Sequence, residues 1–181
     1  MSITRAIDVL KTGGVVAYPT EGVYGLGCDP LNQSAVMKIL QLKQRPVSQG
    51  LILIAASWEQ LQAWVLPVPV DALKKVLATW PGPTTWIFPK SSYCPTWISG
   101  DFNTVAVRVT HHPIAASICR EFGGPIVSTS ANLHNQSPAL TKAQVQQYFN
   151  HHLDYIVSGE VGDLTKPTPI LNALTGALIR G

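Results

Sequence analysis

Two short polar clusters carry the residue types best suited to chemistry. Lys43-Gln44-Arg45 ends a segment with apolar residues at helical spacing, and Ser128-Thr129-Ser130-Ala131-Asn132 follows an apolar run ending at Val127. Lysine supplies a point charge and arginine a planar fork, while three hydroxyls and an amide supply donors and acceptors on one turn. That mixture suits a polyphosphate, and hence a nucleotide. Neither G-x-x-x-x-G-K-S/T nor G-x-G-x-x-G occurs in the chain, so a nucleotide site here is built another way. Taken singly, each cluster also has a plain reading: small polar residues at a strand-to-helix turn bond their own backbone, and cations collect at helix C-termini.

Arg108 is harder to explain as surface. It lies inside Val105-Ala106-Val107-Arg108-Val109, where an unpaired charge is costly, so it requires an anionic partner. That partner is one of the chain's ten acids or a bound carboxylate. The stretch from Thr20 to Asp29 holds Gly22, Gly25 and Gly27 and reads as a loop whose backbone approaches a ligand closely, another part of the site.

These residues need elements to hold them. Ile3, Ala6, Ile7 and Leu10 follow helical spacing up to Gly13-Gly14, and Val15 to Tyr18 reads as a strand. Ser34 is a candidate cap for a helix carrying Val36, Ile39 and Leu40, with Pro46 forcing the exit just after Arg45. Leu51 to Ile54, Thr84 to Phe88, Thr104 to Val109, Pro125 to Val127 and Tyr155 to Val157 read as further strands. Ser57 and Thr141 each open a capping-box pattern, Val70 to Leu77 reads as another helix, and Pro113 opens a helix ended by Gly123-Gly124. Strands and helices interleave without repeat or linker, which predicts an α/β sheet protein with its loops gathered at strand ends.

At 181 residues the chain reads as a single domain, 1–181, able to bury about 70% of its unfolded surface. Hydrophobic residues make up 46% and charged ones 13%, which excludes a disordered chain. The longest apolar stretches, such as Leu51 to Ala56, are too short to span a bilayer, and the N-terminal residues lack the apolar core of a signal peptide, so a cytoplasmic protein is expected. Cys28, Cys94 and Cys119 are odd in number and far apart, and the pairs His111-His112 and His151-His152 are adjacent, so neither a disulfide framework nor a metal site of protein ligands is expected. The net charge of +3 permits an anionic substrate or RNA without demanding either.

The order Pro19-Thr20-Glu21, Gly25 to Asp29, Leu42-Lys43-Gln44-Arg45-Pro46, Trp80-Pro81-Gly82-Pro83-Thr84-Thr85, Val105 to Arg108 and Ser128 to Asn132 closely resembles the YrdC-like family of threonylcarbamoyl-AMP synthases. The likeness runs from Gly13 to Asn132 and more weakly to Arg180, and the length resembles the single-domain TsaC branch. The resemblance implies a twisted mixed α/β sheet with helices and a concave, positively charged face where ATP, L-threonine and bicarbonate meet. It implies threonylcarbamoyl-adenylate and pyrophosphate as products. The adenylate would go to a separate transferase complex for threonylcarbamoyladenosine modification of tRNA beside the anticodon. Matched to the family's K-x-R and S-x-N signature, Lys43, Arg45, Ser130 and Asn132 are the expected catalytic and ATP-binding residues, joined at ATP by Thr104, Thr168 and Arg180. Thr20, Arg108 and Ser128 are the expected threonine contacts, and Mg2+ is expected to arrive with ATP. The departure is Lys166-Pro167-Thr168-Pro169, where members often carry Ser-Pro-Ser-Thr.

Two other readings compete. A non-enzymatic module binding tRNA or double-stranded RNA would use phosphate contacts, but the 13 Lys and Arg residues are spread thinly and form no basic run. A carbamoyl-transfer enzyme of the hydrogenase-maturation type needs companion domains for which the chain leaves no room.

Overall fold

The computed structural model describes residues 2–181; Met1, part of the N-terminal stretch read above, lies outside them. In chain order the elements are α1 (Ser2–Lys11), β1 (Val16–Pro19), β2 (Tyr24–Gly27), α2 (Gln33–Lys43), β3 (Ile52–Ala55), α3 (Val70–Leu77), β4 (Thr85–Pro89), α4 (Thr96–Ser99), β5 (Thr104–Val109), α5 (Pro113–Phe122), β6 (Ile126–Ser130), α6 (Lys142–Phe149), β7 (Tyr155–Ile156), β8 (Ile170–Asn172) and β9 (Leu178–Arg180). The strands form one mixed sheet in the order β7-β1-β2-β6-β3-β5-β4-β8-β9. β1–β7, β3–β5 and β4–β8 are parallel and the other neighbours antiparallel.

Side chains alternate between the two faces of a strand, and the sheet sorts them accordingly. Val16 and Tyr18 of β1, Ile54 of β3 and Ile126 of β6 pack with Ala6, Ile7 and Leu10 of α1 and with Ala115, Ile118 and Cys119 of α5. The opposite face, carrying Leu53, Ala55, Phe88, Val105, Val107 and Val127, packs against Val36, Ile39 and Leu40 of α2, Ile98 of α4 and Val145 of α6. Burying one such aliphatic side chain contributes about 1.5–3 kcal/mol, so the two clusters outweigh any single polar contact in holding the sheet.

α1 and α5 cover only part of their face. Cross-strand register puts Gly25 beside Ser130, Ser128 beside Ile52, and Arg108 beside Ile54, all on that same face where the helical cover stops. Farther along, Ala106, Ile87 and Thr104 are only half-buried while Val105, Val107 and Phe88 between them are buried. The open part of this face is where a ligand fits.

Several local expectations change. Tyr24 to Gly27 is a strand rather than a loop, because Gly25 and Gly27 let the Tyr18 ring lie against β2; a Cβ on Gly27 would stand 2.7 Å from that ring. Ser128 to Ser130 belongs to β6 rather than to the loop after it. Asn32, not Ser34, caps α2, its side chain accepting from Ala35 N. The pattern at Ser57 yields two 3-10 turns, Trp58–Gln60 and Gln62–Trp64, and Ser57 makes no side-chain cap. At Thr141 the cap itself forms, Thr141 Oγ1 accepting from Gln144 N, while Gln144 Oε1 accepts from the N–H of Leu140, one residue before the cap, rather than from that of Thr141. α4 and the β8–β9 hairpin have no counterpart in the sequence reading.

Candidate functional site

The uncovered face opens into a cavity of about 840 Å3. Thr20, Gly25, Arg45, Ile52, Arg108, Ser128 and Ser130 form its floor and one side. The irregular segment from Val161 to Thr168, called the strap below, forms another wall with Arg180. Seven of the ten site residues expected from the sequence, Thr20, Arg45, Arg108, Ser128, Ser130, Thr168 and Arg180, line this one space. Lys43, Asn132 and Thr104 are outside its lining. Thr104 shares a face of β5 with Arg108 but sits four residues away at the strand's start.

The two cations of Lys43-Gln44-Arg45 part company at a left-handed residue. Gln44 has φ 51° and ψ 40°, its N–H bonds to Gln41 O, and Arg45 N donates to Leu40 O at 2.9 Å. This helix ending reverses the chain direction within one residue. Lys43 thereby turns toward the end of β6, where Nζ donates to Ser130 O at 2.6 Å, Asn132 Oδ1 at 2.8 Å and Asn132 O at 3.3 Å. An ammonium has three protons, so all are committed to this turn. Burial pulls the Lys43 pKa down to about 8, helped by the charge of Arg45.

Arg45 enters the cavity with Nε and Nη2 donating to Gly50 O at 3.2 and 2.9 Å. Its pKa falls because it is partly buried and because the Arg180 charge lies nearby. Arg180 Nη2 donates to Thr168 O at 3.2 Å, tying β9 to the strap. Lys166 also faces the cavity, and Asp163 is the single carboxylate in its lining. Like charges gathered in a half-buried site need a polyanion to compensate them.

Ser130 and Asn132 divide in the same way as the cations. Ser130 Oγ donates to Asn132 Oδ1 at 2.6 Å, and Asn132 Nδ2 donates to Leu133 O and Gln136 O, both at 3.1 Å. Asn132 is spent on folding its own loop, whereas Ser130 faces the cavity with acceptor capacity to spare.

Arg108 has its anionic partner within the chain. Nη1 lies 2.5 Å from Glu21 Oε2, and both side chains are almost wholly buried. The sequence reading left Glu21 without a role, although an acid inside the otherwise uncharged Tyr18-Pro19-Thr20-Glu21-Gly22-Val23-Tyr24 was a signal of a buried partner. Burial alone would raise its pKa, but the Arg108 charge and the Thr110 hydroxyl more than offset that, and it is held below the usual carboxylate range. Of the strap, the sequence reading named only Lys166 to Thr168; Val161 to Thr165 was missed, having neither helical nor strand period. It is fixed by Tyr24 Oη donating to Gly159 O at 2.8 Å, Gly162 N to Thr20 O at 2.9 Å and Leu164 N to Glu21 O at 3.1 Å.

Comparison with known proteins adds the lineage. A family model for Sua5, YciO and YrdC proteins, described as telomere recombination, matches residues 8–180. The chain belongs to the Sua5/YciO/YrdC family. A family member from Halorhodospira halophila, called threonylcarbamoyl-AMP synthase, is 50% identical over 98% of this chain and 93% of its own length. One from Coxiella burnetii with the same name is 45% identical over 99% and 96%. The crystal structure of P. abyssi Sua5 complexed with L-threonine superposes with TM-score 0.89 at 34% identity, covering 94% of this chain and 50% of that one. Family membership accounts for the α/β architecture, and the cation-rich cavity lies on the face of this chain's sheet that α1 and α5 leave uncovered.

Proposed function

We propose that the chain is an L-threonylcarbamoyladenylate synthase, using L-threonine, bicarbonate and ATP. The observation that carries this reading is a single cavity joining two kinds of recognition: Arg45, Lys166 and Arg180 for polyphosphate, and Arg108 with Thr20 and Ser128 for an amino acid. An arginine fork suits a carboxylate, and hydroxyls suit the substrate's amine and hydroxyl. The threonine-bound relative and the names of the closely similar proteins support the same substrates.

The neutral amine of threonine adds to CO2 drawn from bicarbonate and loses a proton, giving a carbamate. A carbamate oxygen then attacks the α-phosphorus of ATP, and the bond to the α–β bridging oxygen breaks, releasing pyrophosphate. The nucleophile comes with the substrate, so the protein's work is alignment and charge stabilisation. Arg45 and Arg180 offset charge on the phosphates, with Lys166 beside them, and Ser130 orients them. Thr168 binds the nucleotide where Arg180 ties to the strap. Thr104, on the same open face, extends toward the nucleotide. Lys43 and Asn132 hold the Ser130 turn in place, with the Lys43 charge adding to the field. Magnesium belongs to the substrate, entering on the phosphates of ATP. Excluding water beneath the strap protects the labile carbamate. The adenylate then serves threonylcarbamoyladenosine formation on tRNA, a cytoplasmic step completed by a separate transferase complex.

The test is incubation with ATP, magnesium, bicarbonate and L-threonine, with mass spectrometry of the products and omission of each substrate in turn. Threonylcarbamoyl-adenylate that requires both threonine and bicarbonate establishes the reaction. Folded, ATP-binding protein that makes none overturns it.

A further inference from the structure

We infer that Glu21 is a positioning residue for threonine recognition: from outside the cavity it holds the Arg108 guanidinium in the orientation that receives the substrate carboxylate. The inference rests on the synthase reading above.

Arg108 lines the cavity and Glu21 does not. Glu21 lies on the far side, where Oε2 meets Arg108 Nη1 at 2.5 Å. Its other oxygen is fixed independently, Oε1 accepting from Thr110 Oγ1 at 2.6 Å and from His111 N at 3.1 Å. The carboxylate therefore stands beside the start of α5, whose dipole favours a negative charge there. With Oε1 anchored by Thr110 and His111, the carboxylate is held in place and presents Oε2 to the Arg108 guanidinium.

The contact is a close ion pair, and Arg108 Nε and Nη1, both buried from solvent, have no further partner among the described residues. Glu21 thus neutralises the buried charge while facing Nη1 alone, and it leaves the other N–H donors of the guanidinium unengaged. A guanidinium has five donors, so a second carboxylate can be received while the first remains. Removing the Glu21 charge would leave Arg108 buried and uncompensated, free to leave its place for solvent or for the phosphates.

The backbone of the same residue supports the strap. Glu21 O accepts from Leu164 N, and Gly162 lies so close that a Cβ there would run into Glu21 O. Side chain and backbone therefore serve different parts of the cavity, and a side-chain substitution isolates the first.

The experiment compares wild type with Glu21→Gln, which keeps an oxygen acceptor for Thr110 and His111 but carries no charge. The expected result is a KM for L-threonine raised at least about tenfold, with KM for ATP within about twofold. In an Arg108→Met background the same change should add less than about twofold, because the residue acts through Arg108. Equal rises in both KM values, an unchanged threonine KM, or full multiplication in the Arg108→Met background overturns the inference. Should Glu21→Gln fail to fold, Glu21→Asp keeps the charge but withdraws it by one methylene, and the same split between substrates is required. If wild type makes no adenylate, the synthase reading falls. Calorimetric binding of L-threonine to wild type and variant then decides: at least tenfold weaker binding in the variant supports the inference, and equal or absent binding overturns it.

Discussion

Lys43 and Asn132 lie 89 residues apart in the chain and are joined by two hydrogen bonds from one ammonium, at 2.8 Å to the side-chain oxygen and 3.3 Å to the carbonyl. Lys43 sits on the helix covering one face of the sheet, and Asn132 follows the strand that supplies Ser130 to the other. The pair pins the end of β6 to the end of α2. Of the four residues in the paired signature, two build the turn and two face the cavity.

That division gives separable phenotypes. Lys43→Met removes three donors at a buried turn, so the melting temperature should fall and turnover should drop at least about tenfold, with the KM for ATP less affected. Arg45→Ala should instead raise the KM for ATP about tenfold and lower the melting temperature less than Lys43→Met does, since it gives up two bonds to the single acceptor Gly50 O. Thermal melts and initial rates on the two variants check the assignment.

A pH dependence follows from the Lys43 pKa of about 8, below its ordinary value of 10.5. The folded form releases this proton first, so unfolding takes one up between about pH 8 and 10.5. By linkage the contribution of Lys43 to stability is flat below pH 8 and rises across that window. Activity moves the other way, since the neutral amine has too few protons for three acceptors. Turnover should decline above about pH 8, and this limb should be absent from the residual activity of Lys43→Met. Rates and denaturant melts from pH 7 to 10 test both signs.

Arg108→Lys keeps a positive charge for Glu21 but loses the fork. The KM for threonine should rise at least about tenfold and that for ATP much less, since a point charge cannot receive a carboxylate bidentately. Equal losses for both substrates would remove Arg108 from threonine recognition.

Gly162→Ala places a methyl group against Glu21 O, and the strap must shift to admit it. Destabilisation of about 1–3 kcal/mol is expected, with weaker binding of both substrates because the strap forms one wall of the cavity they share. Gly124→Ala, where a Cβ would meet nothing within 4 Å, is the control and should change neither.

Legibility in the sequence followed the physics of each segment. Val105 to Val109 was readable because β-branched residues state a strand, and Arg108 stood out because a charge there contradicts its neighbours. Its partner was not, since no local pattern links Glu21 to a strand so far along the chain. Tyr24 to Gly27 looked like a loop because glycine weakens strand propensity; the compensating contact from Tyr18 is tertiary. Leu178 to Arg180 is short and exposed on every residue, so it offers no alternation to read. Lys43 and Arg45 were both legible as cations, but only the left-handed Gln44 sends them to different tasks.

The pairing of β8 with β4 and of β9 with β8 has a consequence for synthesis. A nascent chain emerges N-terminus first, at about 5–20 residues per second. Through Asn132 it already holds β1 to β6 and the Lys43 turn, yet the strap, Thr168 and Arg180 arrive only with residues 161–180. A chain grown only as far as Asn132 therefore has the strands that floor the cavity but lacks the wall that the strap and Arg180 supply, so the two sides of the cavity become available at different times.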